Sequence, residues 1–400
     1  MRLSKAIFFL LRKTRKIKLV FLSSYWSFTF LAKKFIKSND IVIFDCFDVG
    51  LYEHIFHYIK IIEEIGDCQI LILTEKTNIE KVKSLYSNVP VIDIAISPYL
   101  LFVDLYVTPH VHISPPGFSY VIHVGHNQPI KYPSYPLEAM RKIDEHFVWG
   151  PLMMEYCKRM QEQANSSYRP RYTKMGNPRI DYEMRKDSNL LPRTCTVVGY
   201  APSWDPGLTL RENGVQIADM LSKMNSVKVI VKLHPVSLTN PDHPDYKFYT
   251  GGVNWRQKFE SLPNVTLFNG LSGYDYLRNI DIFVTDLSSF SFDAFLLDKK
   301  VIFFHTEQFW IQTKNLLYKN FGYDKYAGEP QDDLLINGGR VAGITVNNLS
   351  DLKDAIFEYS RNPRLRSLER DKLTKELLYN QGKSMMVARD RFMKLLKRHA

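Results

Sequence analysis

The sequence has few cysteines, and none of them is paired. Cys46, Cys68, Cys157 and Cys195 are scattered through 400 residues, with no C-x-x-C or other metal-ligand spacing. A disulfide framework and a cysteine-based zinc site are therefore excluded, and the four read as reduced thiols of a cytosolic protein. Long apolar runs are also missing. No block approaches the roughly 20 residues a helix needs to cross a bilayer. The first, at residues 6–11, stops at a basic cluster with no small-residue cleavage site behind it, so a signal peptide is not expected. A G-x-G-x-x-G dinucleotide signature is absent, since Asp45–Gly50 (DCFDVG) holds a single glycine. No internal repeat or low-complexity segment appears. Finally, residues 1–39 contain no Asp or Glu at all.

That last absence locates the charge. The same residues 1–39 carry ten of the chain's Lys and Arg, which accounts for nearly all of the net charge of +11. The body is close to neutral, so a surface that coats nucleic acid is not expected, and no DNA- or RNA-binding motif is present. In the arm, basic clusters alternate with blocks rich in Phe, Leu, Tyr and Trp. That mixture suits an interfacial helix on an anionic leaflet, and equally a first helix packed on the body with a solvated basic face. The remaining composition, 45% hydrophobic and 24% charged, is that of a globular protein with room for two ordinary domains.

From residue 39 onward, short apolar runs alternate with helical patterns, which predicts parallel sheets covered on both faces. Strands are expected near residues 41–44, 69–73, 91–96, 105–107 and 120–124, and a second series begins at Thr196 with strands near 227–233, 265–268, 280–284 and 301–304. Between the two series lies a polar, Pro- and Gly-containing connection. The reading is an α/β protein with a basic arm at 1–38, a Rossmann-like domain at 39–185, a second at 186–375 and a basic helix within 376–400.

Ligands of open parallel sheets collect at the carboxyl ends of the strands, so the strand exits deserve comparison. The first series supplies Gly125-His126-Asn127-Gln128-Pro129, with Lys131 close behind as positive charge; His123, inside the strand, reads as a core side chain. Gly176–Arg179 (GNPR) brings Arg179 to a helix start where it would meet phosphate, and a solvent-exposed basic loop fits as well. The second series supplies Ala201–Pro206 (APSWDP), the exit at His234-Pro235, and the Thr285–Ser289 cluster (TDLSS) before an apolar helix. Unsatisfied N–H groups and two hydroxyls there suit an anion. An ordinary capped helix accounts for the same residues. The three exits open on one edge, and a histidine, a doubly hydroxylated helix start and a Trp-bearing loop would cradle a nucleoside diphosphate, with His126 facing it across a cleft. Dividing donor from acceptor in this way suits group transfer, because closure excludes water.

Tyr200–Asp205 (YAPSWD), Val231–Pro235 (VKLHP) and above all Asp281–Phe304 (DIFVTDLSSFSFDAFLLDKKVIFF) resemble the CDP-glycerol glycerophosphotransferase family of teichoic-acid synthesis, over roughly residues 40–375. The resemblance implies the GT-B fold: two Rossmann-like domains facing across a cleft. It implies transfer of glycerol-phosphate or a related polyol-phosphate from a CDP-activated donor to a lipid-linked or polymeric glycan acceptor, at the inner face of the cell membrane. It places catalytic histidines at His126 and His234, and donor-binding residues at Thr285, Ser288, Ser289, Pro202, Ser203 and Asp293. Lys131 and Arg179 are expected near acceptor or phosphate. Asp286, whose charge would repel phosphate, is expected to organise its loop. One departure stands out: the family's Trp-His-Gly-Thr-Pro type loop is here Gly125-His126-Asn127-Gln128-Pro129.

A neutral histidine is well matched to deprotonating an acceptor hydroxyl at pH 7, so His126 is expected to be the base; His234 and residues 288–289 would receive the charge on departing CMP. No paired carboxylates or D-x-D pattern near these motifs implies a metal, and no cofactor is expected. Two other readings use the same residues: a GT-B glycosyltransferase taking a nucleotide sugar in capsule or lipopolysaccharide synthesis, and a non-catalytic scaffold that binds glycan or membrane.

Overall fold

Every described strand lies parallel to its neighbours, in two sheets built in succession along the chain. In this computed structural model the described residues are 16–32, 40–111, 115–117, 119–128, 140–163, 169–186, 195–270, 272–308 and 333–396. Strands β1 (Asp40–Asp45), β2 (Cys68–Thr74), β3 (Val91–Asp93), β4 (Leu105–Thr108), β5 (Tyr120–His123), β6 (Glu145–Val148) and β7 (Arg171–Lys174) form the first sheet. Strands β8 (Thr196–Tyr200), β9 (Val227–Val231), β10 (Val265–Leu267), β11 (Ile282–Thr285), β12 (Lys300–Phe304) and β13 (Ile344–Val346) form the second. The first sheet is ordered β3-β2-β1-β4-β5-β6-β7 and the second β10-β9-β8-β11-β12-β13, so each reverses direction beside its own first strand. At that switch point a crevice opens at the carboxyl ends of parallel strands.

Burial explains why these segments become strands. β1 is IVIFD from its second residue on, all of it buried, and β11 (IFVT) is buried throughout. Continuous apolar runs of this kind are what a sheet covered on both faces requires. The helix Tyr52–Ile65 covers one face of the first sheet through Ile55, Ile59 and Ile62. In the second domain the helix Thr209–Ser222 starts six residues earlier than its first apolar stretch, Val215 onward, would suggest. Asn213 is non-helical (φ −147°), and the resulting kink interrupts the apolar periodicity at Asn213-Gly214.

The last described helix, Ser384–Leu395, crosses back to the first domain. Its Phe392 ring lies 6.1 Å from Tyr58 and 5.6 Å from Phe147. Arg391 donates to both oxygens of Glu145, through Nε to Oε1 at 2.9 Å and through Nη2 to Oε2 at 2.5 Å. Glu145 is fully buried. A buried carboxylate needs such a partner, because leaving it uncompensated costs about 3–5 kcal/mol.

Residues 16–32 form a helix that packs on the first domain. Ser23, Ser27 and Phe30 face inward, and Ser27 Oγ accepts from the Leu101 amide at 2.9 Å. Ile17, Phe21, Tyr25 and Phe28 form the opposite stripe, with Phe21 and Phe28 each 73% exposed. No described helix is long and apolar enough to cross a membrane.

Candidate functional site

The exits of β8 and β11 meet on one carboxylate. Asp286, fully buried, accepts from the Ser203 amide (3.0 Å) and the Leu287 amide (2.6 Å) on Oδ1, and from the Thr209 amide (2.9 Å) and hydroxyl (2.7 Å) on Oδ2. It thus pins the loop after β8 to the loop after β11 and leaves none of its charge for a ligand. Arg340 closes the arrangement by donating to the Asp286 carbonyl at 2.7 Å.

Two residues expected to touch the donor belong to this scaffold. Thr285 is fully buried and its hydroxyl donates to the Ala201 carbonyl at 2.8 Å. It ends strand β11, and the carbonyl just past β8 accepts its hydrogen bond. The Ser203 hydroxyl likewise donates to the Leu287 carbonyl, although Ser203 still reaches the wall of the cavity that the loops enclose. Thr285 is corrected from donor contact to scaffold on this geometry.

The cavity, about 230 Å³, opens where the three exits converge. Pro202 and Trp204 reach it from β8, Lys232 and His234 from β9, and Ser288, Ser289 and Phe290 from β11; Asn127 comes from the first domain. Ser288 Oγ accepts from the Phe290 amide at 3.2 Å, which turns the chain into the helix Phe290–Leu296. Trp204 stands 6.4 Å from the His234 ring and 5.9 Å from Phe248.

The two histidines are held in opposite tautomers. His126 Nδ1 is 2.8 Å from the Pro109 carbonyl, which only accepts, so the proton sits on Nδ1 and Nε2 carries the lone pair. Burial pushes the His126 imidazole below its ordinary pKa, with His110 adding to the effect against the Pro109 bond. His234 is exposed, and its Nδ1 accepts from the Val236 amide at 3.3 Å, which leaves Nε2 as the proton donor. One is set up to take a proton and the other to give a hydrogen bond. His126 itself does not line the cavity; its neighbour Asn127 does. Gln128, the second departure in this loop, is 1% exposed and donates to the Leu377 carbonyl at 2.7 Å. Asn127 is therefore the departure that meets the cavity.

Lys232 is the residue the sequence reading passed over. It lines the cavity, and burial pushes its ammonium pKa down, while Glu53 across the interface opposes the shift. Strand alternation offered the signal: residues 232 and 234 share a side of the extended chain as it leaves β9. Asp293, one turn into the helix, accepts from the Tyr274 hydroxyl at 3.1 Å, and burial raises its carboxyl pKa to about 6. Arg179 is buried and does not face the cavity. Its Nη2 pairs with Glu53, Nη1 lies 3.2 Å from His54 Nε2, and its Cζ sits 4.5 Å above the Tyr274 ring. Its charge is answered by Glu53, so as placed it is not a phosphate ligand. His123 meets His146 in the core at 3.1 Å between Nδ1 atoms. Lys131 lies outside the described residues. Among the described residues, no group of His, Cys, Asp and Glu is placed to hold a metal ion.

Comparison with known proteins points the same way. Residues 144–327 match the model of the CDP-Glycerol:Poly(glycerophosphate) glycerophosphotransferase family, a stretch that holds the scaffold and His234 but begins after His126. No curated protein matches the chain. Among solved structures, a histidine-to-alanine variant of the wall teichoic acid polymerase TagF aligns at 14% identity and TM-score 0.64, over 99% of this chain and 97% of that one. Another TagF variant gives 12% and 0.60, over 91% and 90%. A putative UDP-N-acetylglucosamine 2-epimerase from Listeria monocytogenes gives 12% and 0.53, over 89% and 95%. At these identities the structures speak for the fold, two Rossmann-like domains of the GT-B type, and the family model marks residues 144–327 as similar to the CDP-glycerol glycerophosphotransferases.

Proposed function

We propose that the protein transfers glycerol-phosphate, or a related polyol-phosphate, from a CDP-activated donor to a lipid-linked or polymeric cell-surface glycan, releasing CMP. The observation that carries this reading is the cavity, where a lysine, an imidazole N–H donor and two hydroxyls from two strand exits converge. Those groups suit a diphosphate, whose oxygens accept charge-assisted hydrogen bonds.

The chemistry follows from the tautomers. The acceptor hydroxyl gives its proton to His126 Nε2 as its oxygen bonds to the β-phosphorus. The bond from that phosphorus to the bridging oxygen breaks, and the electron pair leaves with CMP. Lys232, His234, Ser288 and Ser289 stabilise the charge that develops on the phosphates, where preorganised donors contribute most. A depressed imidazole pKa keeps His126 in its basic form at pH 7.

The exposed stripe Ile17, Phe21, Tyr25 and Phe28, on a segment free of acidic residues, supports peripheral attachment of residues 1–38 to an anionic membrane, and with it a place at the inner membrane face. Retention of binding to anionic vesicles after removal of residues 1–35 would refute it.

Asn127 favours a second reading, transfer of a sugar from a nucleotide sugar, because it alters the acceptor side of the cavity. Incubation with CDP-glycerol, CDP-ribitol and nucleotide sugars separates the two: polyol-phosphate transfer releases CMP, sugar transfer a nucleoside diphosphate. The absence of calorimetric binding for any nucleotide would defeat both and favour a scaffold.

A further inference from the structure

Arg179 occupies the hinge between the domains and touches both. It opens the helix Pro178–Arg185, whose first turn is capped by Asn177 Oδ1, accepting from the Arg179 amide at 3.0 Å. One edge of its guanidinium pairs with Glu53 and lies against His54, at the start of the first-domain helix Tyr52–Ile65. Its face covers Tyr274 of the second domain, and the Tyr274 hydroxyl holds Asp293, three residues beyond the cavity's Phe290. The His54 ring in turn is 6.0 Å from the ring of His126. An unbroken line of contacts thus runs from the His126 loop, through the hinge, to the helix that begins at the Ser288–Ser289 loop. The hinge helix is fixed on both sides by other groups as well: Arg278 pairs with Glu183, and Asp181 accepts from the Gly382 amide at 2.7 Å.

We propose that Arg179 is a positioning residue, a strut that sets His126 relative to the donor cavity, with Glu53 as its first-domain anchor and the Tyr274–Asp293 pair as its second. A planar guanidinium can serve an edge contact and a face contact at once, which a lysine cannot. A buried ion pair contributes little net stability after desolvation, so what this one supplies is geometry, and misplacement by about 1 Å can cost roughly 100-fold in rate. The inference rests on the transferase reading above. If the strut fails, the two substrates no longer align, and water attacks the β-phosphorus in place of the acceptor. That hydrolysis consumes one water and yields CMP and the polyol phosphate.

The test uses the full chain with CDP-glycerol and CDP-ribitol, comparing wild type with Arg179→Lys, Glu53→Gln and the double variant. A melting temperature near wild type is expected for Arg179→Lys, which keeps the charge pair, and a lower one for Glu53→Gln, which leaves a buried guanidinium uncompensated. Transfer kcat should fall about 10- to 100-fold with donor KM within about twofold, while CMP release without acceptor rises relative to transfer. The double variant should be no worse than the poorer single, as for two parts of one device. Wild-type kcat in a folded Arg179→Lys protein would overturn the proposal, as would a raised donor KM at unchanged kcat, which would make Arg179 a donor ligand. Should wild type itself release no CMP, the transferase reading fails, and a second readout still tests the strut. Spin labels at Lys60→Cys and Lys258→Cys, with Cys68 and Cys195 replaced by Ser, report the distance between domains. A distribution unchanged by Arg179→Lys would rule the strut out.

Discussion

Each sheet has one fully buried aspartate at its switch point, and the two are used differently. Asp286 follows β11 and spends its oxygens mostly on backbone amides, those of Ser203, Leu287 and Thr209. Asp45 ends β1 and meets mainly side chains: the Tyr106 hydroxyl at 2.7 Å, the Thr108 hydroxyl at 3.4 Å and His110 Nε2 at 3.1 Å, besides the Phe47 amide. Amides fixed by the chain give a rigid wall. Side chains give a wall that can be rebuilt by single substitutions, and His110 adjoins Pro109, whose carbonyl fixes the His126 tautomer. The second domain's aspartate therefore ties down backbone and the first domain's ties down side chains, though the six strands of the second sheet follow the order of the first six of the other.

The sharpest break of this contrast is His126→Ala, which should lower transfer kcat by about 10²- to 10⁴-fold while leaving the melting temperature near wild type. Acceptor-dependent CMP release and a thermal melt read the two quantities. Its counterpart, Asp286→Ala, should act on folding instead, by more than about 3 kcal/mol, because several buried donors lose their acceptor together. Thr285→Val, beside it, should change donor KM by no more than about twofold; denaturant titration and kinetics would expose a reversal of these roles. Lys232→Met should raise donor KM about 10- to 100-fold, the worth of a charge-assisted contact of about 1.5–3 kcal/mol. An unchanged KM would remove the lysine from the cradle.

Two smaller effects concern protons. Protonation inactivates His126 as a base and its pKa is lowered, so kcat/KM should hold at pH 7 and decline only below the ordinary histidine value of about 6.5. Asp293 has the opposite sign. Its folded pKa is raised to about 6, so its contribution to stability is present below the unfolded value near 4 and lost as pH rises through 6. Asp293→Asn should therefore melt higher than wild type at pH 7.5, with the advantage shrinking by pH 5.

Much of this architecture was legible in the sequence because buried parallel strands write themselves as apolar runs, as β1, β8 and β11 do. The cavity was legible wherever a motif residue also faces it, as with Pro202, His234, Ser288 and Ser289. What escaped was set by tertiary contact. Thr285 reads as a loop hydroxyl until the Ala201 carbonyl is seen above it. Arg179 reads as a phosphate ligand until Glu53, 126 residues away, is seen to take its charge. The helix Ser367–Leu377 was hidden because Arg370 stands in its buried stripe with Leu373 and Leu377, tied to Asp298 at 2.8 Å.

The helix that crosses back has a bearing on how the protein is made. Residues 40–174 supply the first sheet, yet Phe392 and Arg391, which seal its core and neutralise Glu145, leave the ribosome more than two hundred residues later. Domains ordinarily fold in the order of synthesis. Here the second sheet is complete while the buried Glu145 of the first still lacks Arg391 and relies on the hydroxyls of Tyr120 and Thr173 and on Arg171 at 3.9 Å. The domain written first is finished last.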